Sequence, residues 1–291
     1  MKTIKAFIKR YPLLAYFALT FAISWSGVLI VAGGPGGILA NSEASEMQVT
    51  FLYPAVIVGP SVAAILLTGL LYGGAGFREF GWRLFKWRVG GRWYAVALLT
   101  APLSVTTALL ALSLSSPEFL PAIFTSDDKA ALLLIGIFAG LMVGIFEELG
   151  WTGFAIPRLR LRYGVLSTGL ILGLLWGAWH FPLFFWGSGV TSGALPPALY
   201  LLVLLFTWLP AYRVLMVWVY DRTESLLVTI LMHVSLVASN AILVLPLALA
   251  GVAGVTYDLV WAATLWVLVG AVALANGGHL TRQPPLRRRA A

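Results

Sequence analysis

Cysteine is absent from the chain, which excludes disulfides, thiolate metal sites and a cysteine nucleophile. Charge is scarce as well. Only 10% of the residues are Asp, Glu, Lys or Arg, against about 25% in a soluble domain. There is no HExxH stretch, so the zinc signature of soluble proteases is missing. No GxSxG stretch or plausible Ser–His–Asp set supports a serine nucleophile either; Asp258 lies near a helix start and is a poor orienter. No internal repeat, soluble domain or long linker is discernible, and the missing repeat weighs against a transporter built from inverted halves.

What fills the chain is apolar. Hydrophobic residues make up 60% of it and the mean hydropathy is +0.93. This is the composition of a polytopic all-α membrane protein, one transmembrane domain over residues 1–291. A spanning helix needs about 20 apolar residues. That measure predicts eight spans: Tyr11–Ala32, Phe51–Tyr72, Trp93–Leu114, Ala131–Ile156, Val165–Trp186, Ala198–Tyr220, Ser225–Gly251 and Tyr257–Ala275. The first follows Lys2, Lys5, Lys9 and Arg10 as in a signal peptide, but its apolar run is too long for one and reads as a retained anchor. Gly33–Gly37 reads as a turn-rich loop.

The net charge of +8 sits beside the apolar runs, which fits loop topology and not nucleic-acid binding. Basic residues gather at the N-terminus, in Phe77–Arg92, at Arg158, Arg160 and Arg162, and in the tail at Arg282 and Arg287–Arg289. The loop near Arg213 and Arg222 is mixed, with Asp221 and Glu224. The intervening loops carry Glu43 and Glu46, then Glu118, Asp127 and Asp128 with Lys129. That alternation places both termini in the cytoplasm of a cell (plasma) membrane protein. Phe77–Arg92 interleaves Phe80, Trp82, Phe85 and Trp87 with basic residues, as an interfacial segment against anionic lipid or a loop with belt aromatics would.

Three spans carry ionisable groups in their apolar interiors, where such groups are expensive and by default functional. The fourth reads FEELGWTGFAIPR from Phe146 to Arg158. At 100° per residue Glu148 shares a face with Gly140 and Gly144, with Thr152 one turn later, so Glu148 points at a closely approaching neighbour. Glu147 lies on an adjoining sector, and two adjacent carboxylates do not ionise independently. A wetted pair at the end of a short helix is the inert alternative; the apolar run through Trp151, Phe154 and Ile156 argues against it. The fifth span places His180 one turn after Trp176 and just before Pro182, where a kink and a freed carbonyl are expected. The seventh places Thr229, His233 and Asn240 near one face. Taken singly, each histidine is more often a satisfied interhelical donor than a ligand. Of the three histidines in the chain, only His279, near the tail, is expendable.

Centring each run in the bilayer puts Glu148 and His233 on the cytoplasmic side and His180 toward the other, a spread on the order of 15 Å at the helical rise. If the groups converge, two chemistries fit. A glutamate activates water while a histidine orients it or stabilises the oxyanion. Alternatively His180, His233 and Glu148 hold a Zn2+ whose fourth position is water.

The run Glu147–Phe154, then Trp176–His180 with Pro182, then His233, resembles the CAAX-protease and bacteriocin-processing (CPBP, or Abi) intramembrane endopeptidases, whose pattern is EExxxR, FxxxH and HxxxN. Order and spacing match over about 100 residues, within a family-like core of about residues 130–245. The resemblance implies a helical membrane peptidase in which Glu147, Glu148, His180 and His233 activate water, sometimes described as metal-dependent, acting on a peptide or membrane-protein substrate in the lipid bilayer; prenylated C-terminal peptides are one substrate class of the family. Three positions depart from the pattern: Thr152 replaces the motif arginine, Trp176 the phenylalanine and Val237 the asparagine. The first removes a positive charge near the carboxylates and the last a possible oxyanion donor, for which Asn240 is the available substitute. A catalytically silent membrane scaffold is the rival reading those departures motivate, and a proton-coupled transporter is the second rival.

Overall fold

The structure, a computed structural model, describes residues 2–34, 46–187, 196–244 and 251–281. Among the described residues every regular element is helical, and eight helices are long and apolar enough to cross a membrane. The Gly33–Gly37 loop, Glu43, the end of the seventh expected span and the basic tail lie wholly or partly outside the described residues.

A short basic helix, α1 (Lys2–Arg10), leads into α2 (Pro12–Val31), which begins with proline in its first turn, where the missing N–H costs nothing. Helix α3 (Glu46–Leu84) outruns its expected end at Tyr72 by passing a break at Gly73, whose φ of 56° and ψ of −145° suit glycine. Beyond that break Trp82, Phe85 and Trp87 are exposed. Lys86 and Arg88 lie over the Trp82 and Trp87 rings at 4.8 and 5.0 Å, as an interfacial segment would have them. Helix α4 (Gly91–Ser113) follows.

Helix α5 (Lys129–Gly150) starts at Asp128, whose side chain accepts from the Ala131 N–H at 2.9 Å. It does not stop at Gly150. A π-helical turn, Trp151–Ala155, and a last turn, Ile156–Leu159, extend it. The span therefore covers Lys129–Leu159, close to the expected bounds. Helix α6 (Val165–Gly187) runs on through Pro182. The carbonyl of Trp179 nearby accepts from the Trp25 indole of α2 at 3.1 Å. The sixth expected span is two helices, α7 (Pro197–Phe206) and α8 (Trp208–Thr223), broken at Thr207. Helices α9 (Leu226–Leu243, capped by Ser225) and α10 (Gly251–Ala275) complete the described bundle.

Two glycine stripes at four-residue spacing decide which helices meet. On α5 a Cβ at Gly140 would lie 2.7 Å from the Val234 carbonyl oxygen, and one at Gly144 3.0 Å from the Val234 nitrogen. On α6 a Cβ at Gly169 or Gly173 would lie 2.5 Å from the Cα of Val214 or Pro210, and Gly177 faces the Leu205 carbonyl. Backbones this close leave no room for any side chain. The first stripe presses α9 against α5 and the second presses α7 and α8 against α6, so the polar residues of four helices share one interior.

Candidate active site

Glu147 and Glu148 are 1% and 0% exposed. Both side chains are clamped, each in a different way. Glu148 Oε1 accepts from Arg213 Nη1 at 2.7 Å and lies 2.7 Å from His233 Nδ1. Its other oxygen accepts from the Thr152 hydroxyl. A carboxylate can only accept here, so Nδ1 of His233 carries the proton. Three donors from three chain segments thus converge on one buried acid. Glu147 is held through Oε2, which accepts from the indoles of Trp176 at 2.7 Å and Trp151 at 3.2 Å.

The π turn explains how one helix serves both acids. The backbone N–H of Trp151 is shared between the carbonyls of Glu147 and Glu148. The widened turn keeps Trp151 and Thr152 within reach of the carboxylates four residues before them. Single π turns of this kind gather at functional sites. Gly150 lets this corner close on α2 and α3: a Cβ there would meet the Tyr16 hydroxyl and sit 2.5 Å from the Pro60 carbonyl oxygen.

Trp176 is the hub. Its ring centroid lies 5.4 Å from that of His180 and 5.3 Å from that of His233, and the Arg213 guanidinium stacks on it at 4.0 Å. His180 Nδ1 is 2.8 Å from the Trp176 carbonyl oxygen. That oxygen only accepts, so Nδ1 is the donor and Nε2 keeps a lone pair. Trp179 flanks the same imidazole at 4.7 Å. The depth spread anticipated from hydropathy is therefore closed. The span bounds are close to those expected, and it is the Trp176 side chain, bonded to Glu147 and packed on both imidazoles, that bridges the difference in depth.

Two sequence readings need correction. Arg213 is not a loop charge. It lies inside α8, fully buried, and it supplies the cation that Thr152 does not. The signal was present in the sequence: an arginine between Tyr212 and Val214 in an apolar run is as costly as a glutamate there. Asn240, the candidate substitute donor, turns back on its own helix, its amide donating to the Leu236 carbonyl at 3.0 Å. Among the described residues no hydrogen bond joins it to the cluster. Thr229 likewise bonds carbonyls of its own helix, and His279 is exposed.

The same geometry bears on the zinc expectation. Among the described residues no group of three His, Cys, Asp or Glu side chains is arranged to hold a metal. The oxygen of Glu148 nearest His233 already accepts a hydrogen bond from the Arg213 guanidinium, and a cation there would face Arg213. His180, His233 and Glu148 do not form a fitting ligand set among the described residues.

Comparison with known proteins gives two findings. Residues 129–239 match the family described as Type II CAAX prenyl endopeptidase Rce1-like. CAAX prenyl protease 2 of Methanococcus maripaludis is 26% identical over 183 residues, 60% of this chain. The match spans 64% of that relative's length. The matched segment holds Glu147, Glu148, Thr152, Trp176, His180, Arg213 and His233, so the part of the chain that is similar to the Rce1-like CAAX prenyl endopeptidases is the part that builds the polar cluster.

Proposed function

We propose that the chain is an intramembrane endopeptidase that hydrolyses a peptide bond near the cytoplasmic membrane face. The observation that carries the reading is the gathering of two buried acids, the buried His233 and the half-buried His180 around Trp176, with Glu148 fixed by Arg213, His233 and Thr152.

The roles divide by geometry. Glu148 is spent on holding Arg213 and His233, so Glu147 is the general base. Its Oε2 is pinned by two indoles, which aims Oε1 at a water. His180 Nε2 accepts the second hydrogen of that water and orients it. The water oxygen bonds to the scissile carbonyl carbon as Glu147 takes its proton. The tetrahedral intermediate then collapses, the C–N bond breaks, and the proton held by Glu147 passes to the leaving amine. His233, held through Nδ1 by Glu148, faces the reacting carbonyl with its other nitrogen. The aromatic walls exclude bulk water, which strengthens each of these interactions.

The family description and the relative's name point to prenylated C-terminal peptides as the first substrates to try. The test uses the purified chain in nanodiscs with a quenched farnesylated peptide. Turnover that Glu147→Gln abolishes and Glu148→Gln strongly reduces supports the reading. Wild-type protein that binds the peptide without cleaving it favours the silent scaffold, the reading that Val237 motivates.

A further inference from the structure

Arg213 has more donors than its partner uses. Nη1 is taken by Glu148, but Nε and Nη2 have no hydrogen-bond partner among the described residues, although the side chain is 0% exposed. These two N–H groups lie along one edge of the guanidinium plane and point in parallel, the fork that grips an oxygen-bearing anion. A buried donor left unmade is costly, so an orphaned pair on a charged side chain that is itself held in place marks a place for an acceptor, more so than the single neutral orphans nearby on Trp179 and Trp208. The fork is rigid. Its plane rests on Trp176 at 4.0 Å, and its third nitrogen shares Glu148 Oε1 with His233 Nδ1. Guanidinium and imidazole are thereby fixed side by side around one atom.

We infer that the Nε–Nη2 edge of Arg213 binds the scissile carbonyl oxygen and stabilises the oxyanion that forms on it. This rests on the peptidase reading above. It gives α8 the donor that Val237 on α9 does not provide. A fork that bonds a neutral carbonyl weakly and an oxyanion strongly acts chiefly on the transition state. A free C-terminal carboxylate of the substrate is the other acceptor such a fork could take, and the experiment separates the two.

Wild type, Arg213→Lys, Arg213→Gln and the exchange Arg213→Thr with Thr152→Arg are purified in nanodiscs. Each is assayed with a farnesylated peptide as free acid and as C-terminal amide, and with a matching peptidyl phosphonamidate, whose tetrahedral anion mimics the intermediate. The exchange returns a cation to Glu148 without the fork and so guards against a variant that merely fails to fold. The expected result is a fall in kcat of about 100-fold or more in all three variants, with KM within about threefold and a parallel loss of phosphonamidate affinity. Recovery of wild-type kcat in the exchange would reduce Arg213 to a counterion of Glu148 and overturn the inference. A rise in KM confined to the free acid would make the fork a carboxylate receptor and overturn it too. If wild type cleaves nothing, the peptidase reading fails by itself. The fork then stands if phosphonamidate binds better than the peptide in an Arg213-dependent way, and falls if it does not.

Discussion

Glu148 and Arg213, 65 residues apart in sequence, meet at 2.7 Å with both side chains fully buried. A cation and an anion that deep are each costly alone and tolerable together. Removing either partner strands the other. Glu148→Gln or Arg213→Met should each destabilise the folded bundle by about 3–5 kcal/mol, and the double variant should recover much of that loss. Reversible unfolding in mixed detergent, run as a double-mutant cycle, measures the coupling; additive losses would mean the pair is not a unit.

Gly173 holds α8 at the distance the cluster needs. Its absent side chain leaves the Pro210 Cα where a Cβ would come within 2.5 Å. Backbone cannot step aside as a side-chain tip can. Gly173→Ala should cost about 1–3 kcal/mol and depress turnover by displacing Arg213, three residues from Pro210. Gly270→Ala, with nothing within 4 Å, is the control and should leave both Tm and turnover unchanged.

Trp176→Phe keeps the ring against both imidazoles but removes the indole N–H that donates to Glu147 at 2.7 Å. Trp151 still donates to the same oxygen, so the base is loosened and not lost. A fall in kcat of about tenfold is expected, since one charge-assisted hydrogen bond is worth about 1.5–3 kcal/mol and only part of that acts on the reaction. Steady-state kinetics decide, and unchanged kcat would show that Trp151 alone fixes Glu147.

His233 and His180 should separate under alanine substitution. His233 bonds Glu148 across helices, whereas among the described residues His180 bonds the Trp176 carbonyl of its own helix. His180→Ala should reduce turnover by about 100-fold, within the range for a lost acid–base group, with Tm nearly unchanged. His233→Ala should lower both.

The ligand geometry also predicts the metal content. Because no three-ligand set is assembled among the described residues, purified active protein should carry well under one equivalent of zinc by elemental analysis, and phenanthroline should leave turnover intact. Stoichiometric zinc lost together with His180 or His233 would reverse this.

Much of the molecule is decided locally and was therefore legible in the chain. Apolar runs of spanning length admit only helices in a bilayer, so the all-α class and the eight spans follow from composition. The glycine spacing on α5 named the face on which Glu148 lies, because helical periodicity is a property of a single segment. Residues Glu147, Glu148, His180 and His233 stood out because each is expensive where it sits.

Which of these groups touch was settled only by the packing of helices that know nothing of each other in sequence. The π turn at Trp151–Ala155 follows directly on the acids, and hydropathy does not register a change of helical pitch. Arg213 reaches Glu148 because the α6 glycines let α8 lie backbone to backbone. That contact couples positions far apart along the chain, and its energy exists only once both charges have left water together.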